Sequence, residues 1–198
     1  MKISPFLAAV VFSLVLSGCA SMDKTRTPPL SPLEVKLRDA AHCRQAGDFQ
    51  KAFIFYCELQ NNIDDQKEYQ KISLLKADLL LQMQNYPAAL ASLAPIPELP
   101  ATLYDCKKLI LASRILQKLK GNPDHIEALL EVALDNSIHE SGVIFVKASG
   151  YAELGKIYIK HKKSRRAIKC FEYAAMLYDQ MDDSQNADAC RNIMEYLQ

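Results

Sequence analysis

The chain has 198 residues, with 24 basic and 23 acidic side chains and a formal net charge of +1. Such a balance lacks the broad basic footprint that nucleic-acid binding needs, so any electrostatic recognition must be local. Trp is absent, Gly numbers only 6, and a single long apolar run stands at the start, so the remainder suits one globular domain with a continuous core.

That run is the first predicted element. Lys2 precedes an uncharged stretch from Phe6 to Leu16, the layout of a signal sequence. As a helix it covers about 16 Å against about 30 Å of bilayer hydrocarbon, so it is expected to be processed and not to span. It ends in Leu16-Ser17-Gly18-Cys19. The quartet resembles the bacterial lipobox. The resemblance implies a lipoprotein signal peptide over 1–18, cleavage before Cys19, a diacylglyceryl group on its sulfur, and a fatty acyl chain such as palmitate on the new amine. Acyl chains bury methylenes at about 0.8 kcal/mol each, and several together hold a protein on a membrane where one does not. An ordinary secretory signal that happens to contain Cys is the alternative. Ala20 and Ser21 follow Cys19 where an Asp would favour inner-membrane retention in enteric lipoproteins. The implied address is the periplasmic face of the outer membrane, or the cell membrane in a source with only one.

Residues 19–32 comprise Cys19 and the small, polar and Pro-rich stretch ASMDKTRTPPLSP, which lacks a periodic apolar face and cannot bury enough surface to fold. It is predicted to be a flexible tether, reaching roughly 40 Å in an extended Pro-rich form.

From Leu33 to the end the pattern becomes helical. Tyr151, Leu154, Gly155 and Tyr158 fall at i, i+3, i+4 and i+7, and Ala167, Cys170, Phe171, Ala174 and Ala175 continue the stripe after a polar turn at His161 to Ser164, which predicts a helical hairpin. The phrase recurs at Gly47-Asp48-Phe49 with Ala52 and Tyr56, at Asn85-Tyr86 with Ala89 and Leu93, and at Gly121-Asn122-Pro123-Asp124 with Ala128 and Val132. The alanine anchors therefore stand at 52, 89, 128 and 167, where a small side chain lets two helices approach closely. These residues resemble the tetratricopeptide repeat, best met by Leu154, Gly155, Tyr158, Ala167, Phe171 and Ala174. The resemblance implies an all-α solenoid over 33–198, four degenerate hairpins and a closing helix near Asp183 to Leu197, with a concave face for a partner. A non-repeating helical bundle is the alternative.

Relatives with this repeat read extended peptides with the first helix of each hairpin. Carried onto this chain, the resemblance implies a groove of Arg44, Asp78, Gln82, Gln117, Lys120, Lys156 and Lys160, mainly positive and so suited to an acidic or C-terminal carboxylate ligand. A denser cluster, Lys156, Lys160, Lys162, Lys163, Arg165, Arg166 and Lys169, could attract anionic lipid, a glycan phosphate or an acidic peptide. It also fits a solvated hairpin corner whose cations complement a helix C-terminus.

No catalytic or metal-binding spacing stands out. His42, His125, His139 and His161 are scattered one to a segment, and His139-Glu140-Ser141-Gly142 is too local for its side chains to face one reacting atom. No enzyme, cofactor or metal is expected. Of the five cysteines after Cys19, Cys170 and Cys190 fall opposite each other across a predicted turn near 180. A disulfide there would add about 3 kcal/mol; two buried reduced thiols are the alternative. The expected function is a membrane-anchored scaffold or adaptor that binds envelope proteins, with binding of anionic cell-wall or lipid glycan through 156–169 as the alternative.

Overall fold

Five times among the described residues a helix ends on the same backbone device. A residue in the left-handed region (Gly47, Gln84, Lys120, Lys162 or Asp182, φ between 56° and 80°) is followed by a residue whose N–H reaches back five positions, from Asp48 to Cys43 O, Asn85 to Leu80 O, Gly121 to Leu116 O, Lys163 to Tyr158 O and Asp183 to Tyr178 O. This closes each helix and turns the chain sharply. The next helix starts at once. Asp48, Asn85, Asn122 and Asp183 accept hydrogen bonds from the backbone N–H of Lys51, Ala88, Asp124 and Asn186, supplying partners that the first turn otherwise lacks.

The computed structural model describes residues 30–135, 138–140 and 142–198. The expected signal peptide, Cys19 and the tether as far as residue 29 lie outside the described residues, as do 136, 137 and 141. The chain divides into two units, Met1–Pro32 and Leu33–Gln198. The described residues form α1 (Pro32–Gln45), α2 (Phe49–Asn61), α3 (Gln66–Gln82), α4 (Tyr86–Ser92), α5 (Leu103–Lys118), α6 (Pro123–Leu134), α7 (Val143–Lys160), α8 (Ser164–Asp179) and α9 (Ser184–Leu197). They pair as the hairpins α1–α2, α3–α4, α5–α6 and α7–α8, closed by α9, as expected.

The core runs as a series and not around one centre. Ala40, Ala52, Tyr56, Leu59, Ile72 and Leu79 join α1, α2 and α3. Ala77, Leu80, Ala89, Leu93, Leu111, Ala112 and Ile115 join α3, α4 and α5, and a larger cluster links α5 through α9. Helices α3 and α5 each serve two clusters, so every hairpin buries its apolar stripe against its neighbours, the arrangement of a solenoid.

Helix α4 has only 7 residues. Pro95, Pro97 and Pro100 prevent its continuation, and the chain crosses to α5, where Thr102 and Asp105 cap the start reciprocally, the Asp105 N–H donating to Thr102 Oγ1 at 3.2 Å and the Thr102 N–H to Asp105 Oδ2 at 3.0 Å.

The anchor expected at Ala128 is corrected. Ala52, Ala89, Ala167 and Ala187 are fully buried, each at the fourth position of its helix, but in α6 that place belongs to Ile126, 4% exposed, while Ala128 faces solvent. Gly121 occupies the place that Asp48 or Asn85 holds elsewhere, so this hairpin carries one extra turn residue before its cap, Asn122. Counting from the left-handed residue, Lys120, therefore reaches Ile126 one step later than in the other turns.

Candidate functional site: a trough across the first helices

The first helices of the four hairpins, α1, α3, α5 and α7, lie side by side and leave two hollows. One, of about 690 Å³, is lined by α1 (Leu37, Arg38, Ala41, Arg44, Gln45), the start and middle of α2 (Phe49, Tyr56) and α3 (Lys71, Leu75, Gln82). The other, of about 510 Å³, is lined by α3 (Lys71, Leu74, Leu75, Asp78), α5 (Tyr104, Lys107, Ile110, Leu111, Arg114) and α7 (Phe145, Val146, Ser149). Lys71 and Leu75 line both, so the two form one trough. Its course is oblique, from the C-terminal half of α1 to the first turns of α7.

The floor is apolar and the margin is charged. Phe145 stands 55% exposed in the second hollow, an aromatic ring held out of the core by a rigid helix. At the junction of the hollows the Arg44 guanidinium pairs with Asp78 and donates from Nε to Gln82 Oε1 at 3.1 Å. Tyr56 lies beneath this pair. Burial pushes its hydroxyl above the usual tyrosine range, although the nearby Arg44 pulls the other way. Lys107 sits 5.5 Å from the centroid of the Tyr104 ring, and Arg114 lies 3.6 Å from Glu153. Arg114 Nε and Gln117 Nε2, one turn apart on α5, are buried and make no hydrogen bond.

Three of the seven groove residues expected from the repeat resemblance, Arg44, Asp78 and Gln82, come together here. The other four do not line the trough. Gln117, Lys156 and Lys160 continue the inward stripes of α5 and α7 but lie farther along the helices than the hollow extends, and Lys156 donates to Glu153 at 3.4 Å. Lys120 is the left-handed residue of the α5–α6 turn. Lys71, Tyr104, Lys107, Arg114 and Phe145 were missed. Tyr104, Lys107, Leu111 and Arg114 do form an i, i+3, i+7, i+10 stripe, but α5 is apolar around most of its circumference and hides it.

The run of seven cations lies on the α7–α8 corner, where Lys162, Lys163, Arg165 and Arg166 with Ser164 line a separate hollow. Several of its charges are already used. Glu127, 7% exposed on α6, receives both hydrogen bonds of Lys163 at 2.9 Å and meets His161 Nδ1 at 2.5 Å. Burial raises the Glu127 pKa, but these two partners outweigh it and hold the carboxyl below its ordinary range. One turn on, Glu131 accepts from the Tyr158 hydroxyl at 2.6 Å, and burial together with that bond pushes Tyr158 up. Lys163 and Arg166 stack at 5.6 and 5.7 Å from the Tyr158 ring centroid. Lys160, Lys162, Arg165 and Lys169 remain exposed.

Cys170 and Cys190 are buried on facing helices as free thiols, the second of the two states that the sequence leaves open. Burial pushes Cys170 up to about 11 and raises Cys190 as well, so both stay protonated, and the thiolate that disulfide exchange requires is suppressed. Glu140 accepts from the Leu103 backbone N–H at 3.1 Å, bracing the α6–α7 connection against α5; Ser141 lies outside the described residues. His42, His125 and His139 are exposed and apart, and among the described residues no group of His, Cys, Asp and Glu could hold a metal ion. No helix among them is long and apolar enough to cross a membrane.

No protein-family profile matches this chain, and neither does any curated protein. Solved structures do match in fold. The crystal structure of BtubC (BKLC) from P. vanneervenii is 19% identical, with a TM-score of 0.57 over 80% of this chain and 76% of that one. The crystal structure of MamA protein is 13% identical, with a TM-score of 0.51 over 83% of this chain and 91% of that one. At such identities the likeness shows the fold alone. Fold and trough together define the class: an all-α, tetratricopeptide-like helical-repeat solenoid with a binding-sized furrow across its first helices.

Proposed function

We propose that this protein is a lipid-anchored adaptor of the bacterial envelope that grips a segment of a partner protein in the α1–α3–α5–α7 trough. One observation carries the gripping: two hollows share Lys71 and Leu75 and so offer a continuous furrow with an apolar floor, the shape that takes an extended chain. The anchor is supported by Leu16-Ser17-Gly18-Cys19 and the tether after it, and Ala20 and Ser21 support the periplasmic face of the outer membrane. The basic corner is the weaker candidate, because Glu127 and the Tyr158 ring already engage two of its cations, Lys163 and Arg166, and no apolar side chain lines its hollow.

A photo-crosslinking residue at position 145 in cells making the full chain tests the grip. A discrete adduct with an envelope protein, lost when the residue is moved to exposed Glu172 on α8, is the expected result; equal labelling from both positions overturns it. The anchor is tested by the mass of the mature N-terminal peptide. A triacylated Cys19 is expected, and an unmodified Cys19 thiol refutes lipidation.

A further inference from the structure

Resting on that assignment of the trough, we infer that the gripped segment is acidic, with carboxylates flanking bulky apolar side chains. The whole chain is nearly neutral, yet the trough is not. Among its lining residues Arg38, Arg44, Lys71, Lys107 and Arg114 are cationic, while Asp78 is the one carboxylate, and Arg44 already neutralises it.

Other acids near the margin leave most of this surplus in place. Glu68 lies 3.3 Å from Lys71 Nζ, Glu153 lies 3.6 Å from Arg114, and Asp39 lies 3.8 Å from Arg38. None of the three lines the trough. The cations are 38% to 55% exposed at these contacts, where solvent weakens an ion pair. A carboxylate arriving over an apolar floor meets less water and more cation than these edge acids do. Arg114 Nε adds a buried donor without an acceptor, which a small rotation of the guanidinium would offer to a ligand oxygen.

The apolar half of the ligand follows from the floor. Leu74, Leu75, Tyr104, Ile110 and Phe145 surround the second hollow, and its volume of about 510 Å³ holds one or two large side chains and not a folded domain. Four adjacent helices at about 9 Å spacing span roughly 27 Å, the length of about eight extended residues. Cations stand on α1, α3 and α5, so carboxylates are required along that length, with the apolar anchor toward α5 and α7.

Selection of a randomised nine-residue peptide library on the full-length chain in detergent reads this directly. Asp and Glu flanking Leu, Ile or aromatic residues are expected to be enriched, with the retained peptides binding at least about tenfold more weakly to Lys71→Glu/Lys107→Glu, in which two attractions become repulsions. Selection on that double variant is expected to enrich Lys and Arg in their place. Phe145→Ser, at an exposed position, keeps the fold and is expected to lose the apolar preference. Neutral or basic peptides whose binding still depends on Phe145 overturn the acidic ligand while leaving the trough as the grip. Enriched peptides indifferent to all three positions, or no enrichment, overturn both.

Discussion

Gly155 of α7 faces the Phe171 ring of α8 across the last hairpin, and their substitution gives the sharpest test of the packing. A Cβ placed on Gly155 would stand 2.8, 2.9 and 3.1 Å from Cε2, Cζ and Cδ2 of Phe171, well inside the roughly 3.5–4.0 Å of a relaxed carbon contact. Phe171 has no exposed surface, so its ring has nowhere to go. In an open helix Gly→Ala gains about 1 kcal/mol; here overpacking costs about 1–3 kcal/mol, and Gly155→Ala is expected to destabilise by about 1 kcal/mol net. Phe171→Leu alone loses ring contacts and is expected to cost about 1–2 kcal/mol. In the double variant the new methyl group occupies part of the space the ring vacates, and the two changes should couple favourably by about 1.5 kcal/mol. The helix-propensity gain is present in both backgrounds and cancels in the cycle, so the coupling isolates the contact. Urea unfolding followed by helical circular dichroism supplies the four free energies. Gly155→Ala stabilising by the full propensity gain, with additive free energies in the double variant, would refute the close approach of α7 and α8.

Three further outcomes are expected. Glu127→Gln should cost about 2 kcal/mol near neutral pH, since it removes charge-assisted bonds from Lys163 and His161. The folded carboxyl titrates below its unfolded range, so its contribution is complete above that range and fades as pH falls through the folded value; the acid limb of a urea-midpoint profile should be flatter in the variant. Lys162→Gly should stabilise by about 1 kcal/mol, because φ at this residue is 58° and a Cβ is penalised there; a loss in thermal unfolding would contradict the left-handed turn. Cys170, with its thiol near 11, should resist iodoacetamide at about pH 8 in the folded chain and react at the ordinary rate in denaturant, as quantified by peptide mass.

The hairpins were legible because their signals are local. Gly47-Asp48, Asn85-Tyr86 and Gly121-Asn122 each announce a helix stop and restart within a few residues, and the stripe of Tyr151, Leu154, Gly155 and Tyr158 carries its own period. The third hairpin slipped for the same reason. Its turn is one residue longer, Ala128 imitates the anchor that Ile126 supplies, and nothing nearby in sequence distinguishes them. The trough was only partly legible, since Lys71, Lys107 and Phe145 converge from three helices separated by most of a repeat each. Residues placed by register alone, such as Lys156 and Lys160, fell on the correct stripe but beyond the end of the hollow.

Charge density in sequence was the more misleading signal, for a physical reason. In a solenoid each hairpin faces its predecessor across a seam, so a polar residue on one hairpin finds its partner a repeat away: Lys163 and His161 meet Glu127, Tyr158 meets Glu131, and Arg44 meets Asp78. A run of seven cations thus lost part of its charge to Glu127 on α6 and to Glu153 on α7. Cations spread one or two to a helix on α1, α3 and α5 also meet acids, but of these only Asp78 belongs to the lining of the trough, while Asp39, Glu68 and Glu153 stand outside it. In the proposed reading the binding surface is marked by cations set beside an apolar floor, a combination that the trough has and the hollow of the α7–α8 corner lacks.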